Sequence, residues 1–175
     1  YDSVGNRLRR DGQAADALFD PANRLTEDAS FTYAYDLNGN LIQKTEKATG
    51  RVTRYTYDSE NQLIRIDFPD LTFSSYAYDA LGRRIQKNVN GAVTRYVYDS
   101  EDILLEFNGV NRLIAAFTHG PGIDEPLQMA RDLNLNGTFE PAERFSYHTD
   151  GLGSITDLTD STSAIVQSYV YDSFG

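Results

Sequence analysis

Three observations predict a mostly β chain, built from consecutive antiparallel β-hairpin repeats in one curved, spiralling sheet. An aromatic–Asp dipeptide recurs at intervals of 16 to 22 residues. Tyrosines two residues apart precede most copies, a spacing that puts both rings on one face of a strand. Residues suited to turns come after the Asp, and then an aliphatic residue opens the next strand.

The copies are Tyr1-Asp2 with Leu8, Phe19-Asp20 with Leu25, Tyr35-Asp36 with Leu41, Tyr57-Asp58 with Leu63, Tyr78-Asp79 with Ile85 and Tyr98-Asp99 with Leu104. A seventh start, Tyr171-Asp172, comes after a long interruption. A second level of repetition supports the first: residues 50–60 and 91–101 are identical at nine of eleven positions, 41 residues apart, which is two units.

The first strand of a unit carries Tyr33 and Tyr35, Tyr55 and Tyr57, Tyr76 and Tyr78, or Tyr96 and Tyr98, with Ala34, Thr56, Ala77 or Val97 facing the other way. The Asp starts the turn by accepting nearby backbone N–H groups, and Gly or Asn supplies the positive φ. Asn38-Gly39 is the strongest hairpin signal; Gly5-Asn6 and Gly82 serve other turns. The second strand is typified by Leu41–Thr45, and residues 48–50 and 89–91 turn the chain towards the next unit. A lone hairpin is marginal in water, so the units are expected to pair side by side. No long amphipathic 3.6-residue pattern is present, and little helix is expected.

Composition agrees. The chain has 12 Tyr and 9 Phe but no Trp and one Met, and tyrosine suits a half-buried strand surface. Cysteine is absent, which excludes disulfides, thiolate metal sites and a cysteine nucleophile. Net charge is −10, unevenly placed. Residues 1–100 hold 13 Lys+Arg and 14 Asp+Glu, whereas residues 101–175 hold 3 and 12. An acidic surface repels phosphate backbones, so nucleic acid is not an expected partner. No apolar run approaches the roughly 20 residues of a membrane span, and no signal peptide is visible. The chain begins at Tyr1 and stops at Gly175 within a motif already used, as a fragment of a longer polypeptide would.

The repeats over residues 1–104 resemble those of the YD-repeat, or Rhs, family. The resemblance continues at Tyr147-His148-Thr149-Asp150-Gly151-Leu152-Gly153-Ser154, then Leu158-Thr159-Asp160, and ends at Tyr169–Gly175. That block is similar to the opening of the Rhs-associated core domain. The resemblance implies three parts: a hairpin array over 1–104, an insert over 105–146 and the start of the core-like segment over 147–175. It also implies a structural role, as wall of a hollow β-shell around a C-terminal toxin or other cargo. The partners would be the rest of the parent shell and that cargo, and the location would be secreted or on a bacterial cell surface. The family's core runs on to a self-cleavage site with catalytic aspartates, which this stretch does not contain. Six or seven hairpins are also too few to close a shell. The alternative is an extracellular adhesin or carbohydrate-binding surface, with tyrosine rows stacking on a cell-surface glycan; the simpler use of those rows is packing.

Residues 105–146 interrupt the aromatic–Asp repeat and are expected to be loop-rich. Within them Asp132-Leu-Asn134-Leu-Asn136-Gly137-Thr138-Phe139-Glu140-Pro141-Ala142-Glu143 fits a twelve-residue calcium-loop pattern. Calcium takes several oxygen ligands around a sharp turn. Asp132, Asn134 and Asn136 would supply side-chain oxygens, Thr138 its carbonyl, Glu140 a water-mediated contact and Glu143 two oxygens; Gly137 permits the bend. Phe139 stands where EF-hand and dockerin loops, which this stretch resembles, carry an apolar residue. Pro141 suits the first turn of a short helix bearing Glu143. The simpler reading is a polar turn on Asn136-Gly137.

Other sets carry less. Asn136-Gly137-Thr138 is a glycosylation sequon, a frequent chance triplet. His148, Asp150 and Ser154 could be imagined as a hydrolytic set, but closeness in sequence does not align nucleophile, base and orienter. His119 lies in a Gly-Pro-Gly loop ending at Ile123. The repeat aspartates Asp36, Asp58, Asp79 and Asp99 recur at turn starts, so they are turn formers rather than paired acids for glycoside hydrolysis. Arg51, Arg54, Arg95 and Lys87 are expected to be solvated or stacked on tyrosine faces. No residue is expected to perform catalysis.

Overall fold

The computed structural model describes residues 17–122 and 125–171. The first hairpin, with Tyr1-Asp2 and Gly5-Asn6, lies outside the described residues, as do Ile123 and the close of the core-like block at 172–175.

Among the described residues the secondary structure is fifteen strands and one short 3₁₀ turn, Pro141–Glu143. The strands are β1 (Leu18–Phe19), β2 (Leu25–Glu27), β3 (Phe31–Tyr35), β4 (Leu41–Glu46), β5 (Val52–Tyr57), β6 (Leu63–Asp67), β7 (Phe73–Tyr78), β8 (Arg84–Val89), β9 (Ala92–Asp99), β10 (Asp102–Asn108), β11 (Leu113–His119), β12 (Pro126–Arg131), β13 (Arg144–Thr149), β14 (Ile155–Thr159) and β15 (Ile165–Ser168). The chain divides into two compact units, 1–82 with 87–91 and 83–86 with 92–175, so β8 contributes to both. The first unit holds β1–β7 and the second β9–β15, and in each the strands pair antiparallel in chain order without crossovers.

Register is set by the turns. Tyr33 lies opposite Lys44, then the ladder slips at Ala34/Tyr35 so that Tyr35 faces Leu41. The same slip occurs at Thr56/Tyr57 and at His148/Thr149, beside the corresponding turns. Each slip is a bulge that leaves one extra residue on the outgoing strand, Ile42, Ile64 and Thr156 respectively. The turns themselves are closed by a residue at positive φ, Asn23, Gly39, Asn61, Gly82 or Gly153, with φ of 65, 91, 62, 81 and 88°. Asn and Gly are the residues that reach this region cheaply.

The interval 105–146 is more regular than a loop-rich insert. It contains most of β10, all of β11 and β12 and the start of β13, and its long loop is confined to 132–143. The repeat continues there in altered spelling. Phe107-Asn108 replaces Tyr-Asp, Asn111 takes φ 60°, and Leu113 opens the next strand. Asn has the same acceptor oxygen as Asp, so a search for aromatic–Asp passes over it.

The two near-identical stretches also part company at their ends. After Asp58 the positive φ falls on Asn61, whereas after Asp99 it falls on Ser100, at 53°. Asp102 then pairs directly with Asp99 and Ile103 with Tyr98, leaving Leu104 at the bulge. The residues downstream of the shared Tyr-Asp-Ser-Glu set the turn: Asn61 accepts the left-handed position, while the second copy runs on into Asp102 and Ile103.

Burial is shallow. The only apolar side chains that count as buried among the described residues are Ala115, Ala130 and Leu158. Most strand residues are half-buried.

Candidate functional site

The repeated element is a turn in which one Asp serves as a four-point anchor. Asp36 donates its N–H to Asn40 O at 2.9 Å, and its carbonyl accepts from Gly39 N at 3.2 Å. Its Oδ1 accepts from Asn38 N at 2.9 Å and Asn40 N at 2.8 Å. The arrangement recurs at Asp20, Asp58, Asp150 and Asp160, and with Asn108 as acceptor. At Asp79 the Oδ1 accepts from Leu81 N at 2.9 Å. In each of these turns a carboxylate oxygen is held by main-chain donors, the work of a turn former.

The tyrosine before the Asp has an equally fixed task. Tyr35 donates its hydroxyl to Leu25 O at 2.8 Å, Tyr78 to Leu63 O at 2.8 Å, Tyr98 to Arg84 O at 2.9 Å and Tyr171 to Ile155 O at 2.6 Å. Each acceptor lies where the second strand of the preceding hairpin begins, so these four tyrosines clamp their own hairpin to the one before. Tyr33 instead donates to Asp28 Oδ2 at 2.6 Å. Burial, and then this carboxylate, hold its phenol well above the usual range.

Cations cap the rings. Arg24 lies 5.0 Å from the centroid of Tyr35, Lys44 3.8 Å from Phe31, Arg65 4.6 Å from Phe73, Arg83 4.9 Å from Tyr98 and Arg84 5.5 Å from Tyr96. Arg51 and Arg54 are exposed, the solvated alternative of the sequence reading. Arg51 pairs with Glu46 at 2.9 Å, Arg54 donates to Gln43 Oε1 at 2.8 Å, and Arg95 donates to Gln86 and Asn111. Arg54 and Arg95 lie on the face opposite the tyrosines, by the alternation of their strands.

Among the described residues, the loop 132–143 is the one place where the fold buries carboxylates: Asp132 is 3% exposed and Glu143 4%. Asp132 Oδ1 accepts from Asn136 N at 3.0 Å and Oδ2 from Gly137 N at 2.8 Å, so the chain wraps around it. Glu143 Oε1 accepts from Leu133 N at 2.8 Å and Asn134 N at 3.3 Å, and Oε2 from Glu140 N at 3.1 Å. Asn136 Oδ1 accepts from both the N–H and the hydroxyl of Thr138, at 2.8 and 2.7 Å. Asn136 and Asn134 donate their amide N–H groups to Glu140 at 2.7 and 3.3 Å. All six expected ligand residues therefore lie on one closed loop, and the short turn Pro141–Glu143 delivers Glu143. Among the described residues no three His, Asp or Glu side chains converge as metal ligands. The donor set is nonetheless that of a hard cation: carboxylates, amide oxygens and a carbonyl. A carboxylate oxygen that accepts one N–H retains a second lone pair.

The histidine set does not assemble a hydrolytic site. His148 Nε2 lies 2.9 Å from Thr159 Oγ1, and Asp150 accepts from Leu152 and Ser154 main-chain N–H groups. His119 packs beside Phe117, with ring centroids 6.5 Å apart.

Fold and turn together define a tandem β-hairpin repeat in which the recurring polar and aromatic side chains are spent on architecture. A family model described as Teneurin YD-shell matches residues 1–175, and the chain belongs to that family. It is 33% identical over 185 residues to the tRNA nuclease WapA of Bacillus subtilis (strain 168), a match covering 100% of this chain and 7% of the relative. It is 25% identical over 197 residues to the double-stranded DNA deaminase toxin A of Burkholderia cenocepacia (strain H111), covering 100% and 14% respectively. The chain thus spans a small fraction of the relatives' length. Among solved structures, the TcdB2-TccC3 complex with Cdc42 aligns with a TM-score of 0.51 at 20% identity, covering 86% of this chain and 8% of that one. The Photorhabdus luminescens Tc holotoxin pore aligns with a TM-score of 0.52 at 17% identity, covering 74% and 7%. These structural matches share the fold. The chain is a structural segment of YD-shell type.

Proposed function

We propose that this chain is wall in a large shell protein that encloses a C-terminal toxin or other cargo, and that it performs no chemistry of its own. The observation that carries the reading is the use of the repeat Asp and Tyr residues as turn anchors and inter-unit clamps. Side chains held this way are committed to turn and strand geometry. The named activities of the similar toxins support a toxin-bearing parent; the active part would lie elsewhere in such a protein. In this reading 1–104 is repeat wall, 105–146 a stretch of altered repeat that carries the loop 132–143, and 147–175 the start of the core-like segment, in a protein that is secreted or held at a bacterial surface. The glycan-stacking alternative is disfavoured by the cations already seated on several rings. Limited proteolysis of the full-length parent tests the proposal. An intact wall should protect the C-terminal part, and the pair Tyr35→Ala with Tyr78→Ala should expose it. Equal cleavage in both would remove the enclosing role.

A second reading concerns the loop. Asp132 and Glu143 would hold calcium with Asn134, Asn136, Thr138 and, through water, Glu140. The burial of both carboxylates on a loop of matching spacing favours it. Binding would require the Asn134 and Asn136 amides to leave Glu140 and turn their oxygens inward. The test is a thermal melt in calcium and in EDTA. Saturation a hundredfold above the dissociation constant adds about 2.7 kcal/mol. The calcium-dependent rise should vanish in Asp132→Asn and Glu143→Gln. No rise at millimolar calcium would leave 132–143 as a hydrogen-bonded turn.

A further inference from the structure

The second unit carries an aromatic hollow lined by His119 but by no Lys or Arg. It measures about 490 Å³, lies on the tyrosine face, and is walled by Tyr98, Phe117 and Tyr147, with Glu101 and Asp102 among its lining residues. A second hollow of about 290 Å³ shares Asp102 and Phe117 and adds Asp99. No Lys or Arg lines either. Asp99, Glu101 and Asp102 take part in no ion pair among the described residues.

The contrast with the first unit is informative. A hollow there of about 540 Å³, walled by Phe31, Tyr55 and Phe68, contains its own cations, Lys44 and Arg51. Lys44 sits directly over Phe31 and Arg51 pairs with Glu46. In the second unit Arg83 covers Tyr98, but among the described residues no cation lies over Phe117 or Tyr147. The three arginines of residues 101–175 are engaged elsewhere: Arg131 with Glu106 at 3.1 Å, Arg112 with the Leu135 carbonyl, and Arg144 with Phe139 O at 3.5 Å. Twelve Asp+Glu against these three leave the region strongly negative.

We infer that this hollow receives arginine or lysine side chains from a basic, extended polypeptide segment. Aromatic faces attract cations, guanidinium most readily. The three unpaired carboxylates beside them supply the opposite charge and steer a basic chain to the face. The inference stands on this surface alone and does not depend on the calcium or the enclosure reading.

The experiment is an NMR titration of the 175-residue chain at low ionic strength with tetra-arginine, tetra-lysine and tetra-glutamate peptides. Arginine and lysine peptides should shift the amides around residues 102, 117 and 147, and tetra-glutamate should not. Phe117→Leu and Tyr147→Leu should each weaken binding about three- to fivefold, as expected for removal of one exposed cation–π contact. Tyr147→Phe keeps the ring and should bind as the parent does. Asp102→Asn should weaken binding and flatten its salt dependence. Shifts scattered over the whole acidic surface, with the leucine variants binding unchanged, would overturn the site. Saturation by magnesium or calcium with no response to either basic peptide would overturn it too.

Discussion

At the scale of single residues, the repeat works by giving a few side chain types one fixed task. A turn Asp is a better acceptor when ionised, and at three turns the donors hold its pKa below the usual carboxylate value: the Asn40 amide at Asp36, the Thr162 hydroxyl at Asp160 and the Arg24 main-chain N–H at Asp20. Their folded pKa lies below the unfolded one. Their contribution is therefore complete above the unfolded value of 3.8 and is lost as pH falls through the folded values. The melting temperature should be flat with respect to these groups from pH 7 to about 5 and decline below 3.8 as several turns protonate together. A melting temperature unchanged between about pH 5 and 2.5 would show that the turns do not depend on charge. Leu71 departs from the repeat's Asn-or-Gly rule, as Ser100 and Ser163 do. Leu71 is exposed and sits at φ 68°, in the turn where Phe68 N–H donates to Thr72 O at 2.9 Å. Most other turns place Asn or Gly at this step, and a branched L-residue there is strained by roughly 1–2 kcal/mol. Leu71→Asn should raise stability by about 0.5–1 kcal/mol, measured by denaturant unfolding, because the new residue tolerates the conformation and nothing is lost from a core.

At the scale of the hairpin, turn and strand are joined by contacts that cross from one unit to the next. Arg24 reaches Asp36 O at 3.3 Å, Asn38 and Asn40 both donate to Asn61 Oδ1 at 3.0 and 2.7 Å, and Arg83 donates to the Ser100 carbonyl. Successive turns are laced along one side while the tyrosine hydroxyls clamp the strands behind them. Much of this was legible in sequence. The two-residue alternation of Tyr33 and Tyr35 and the Asp36–Asn40 turn predict strand, turn and face directly. The hydroxyl bond to the preceding unit was not legible, because it spans 10 to 16 residues and ends on a carbonyl, which sequence does not distinguish. Nor was the choice of stacking cations: Arg54 neighbours Tyr55 in sequence but points to the other face, whereas Arg24 reaches Tyr35 from the preceding turn. Of the loop, ligand type and spacing were readable, but not that Asp132 and Glu143 would be buried with every oxygen on a main-chain donor. The clamp can be measured. Tyr35→Phe should cost about 0.5–1.5 kcal/mol through loss of the bond to Leu25 O. Tyr35→Leu should cost more, since it also removes the surface under Arg24. If Tyr35→Phe is as stable as the parent chain, water replaces the clamp and the tyrosine's role is packing alone.

At the scale of the whole chain, the balance between local and long-range contacts decides what kind of protein this is. Every strand pairing described joins sequence neighbours, so contacts are local and each unit leans on the units beside it. Apolar burial is thin: Ala115, Ala130 and Leu158 are small or single contributions, while Leu37, Leu81, Val110 and Leu152 stand exposed at turn tips. In arrays of this kind stability approximates a sum of unit and nearest-neighbour terms, and few units give a marginal total. The 175-residue chain alone should therefore unfold in a broad transition of low cooperativity. Amide exchange should be fastest at β15, whose four residues are all exposed. Adding further repeats of the same family after residue 175 should cover that strand, slow its exchange and sharpen the melt. Adding an equally long flexible Gly-Ser segment should do neither. A sharp, cooperative melt of the chain by itself, with β15 protected as well as β5, would mean that the pairing of successive hairpins is sufficient and that the wall does not depend on its neighbours for stability.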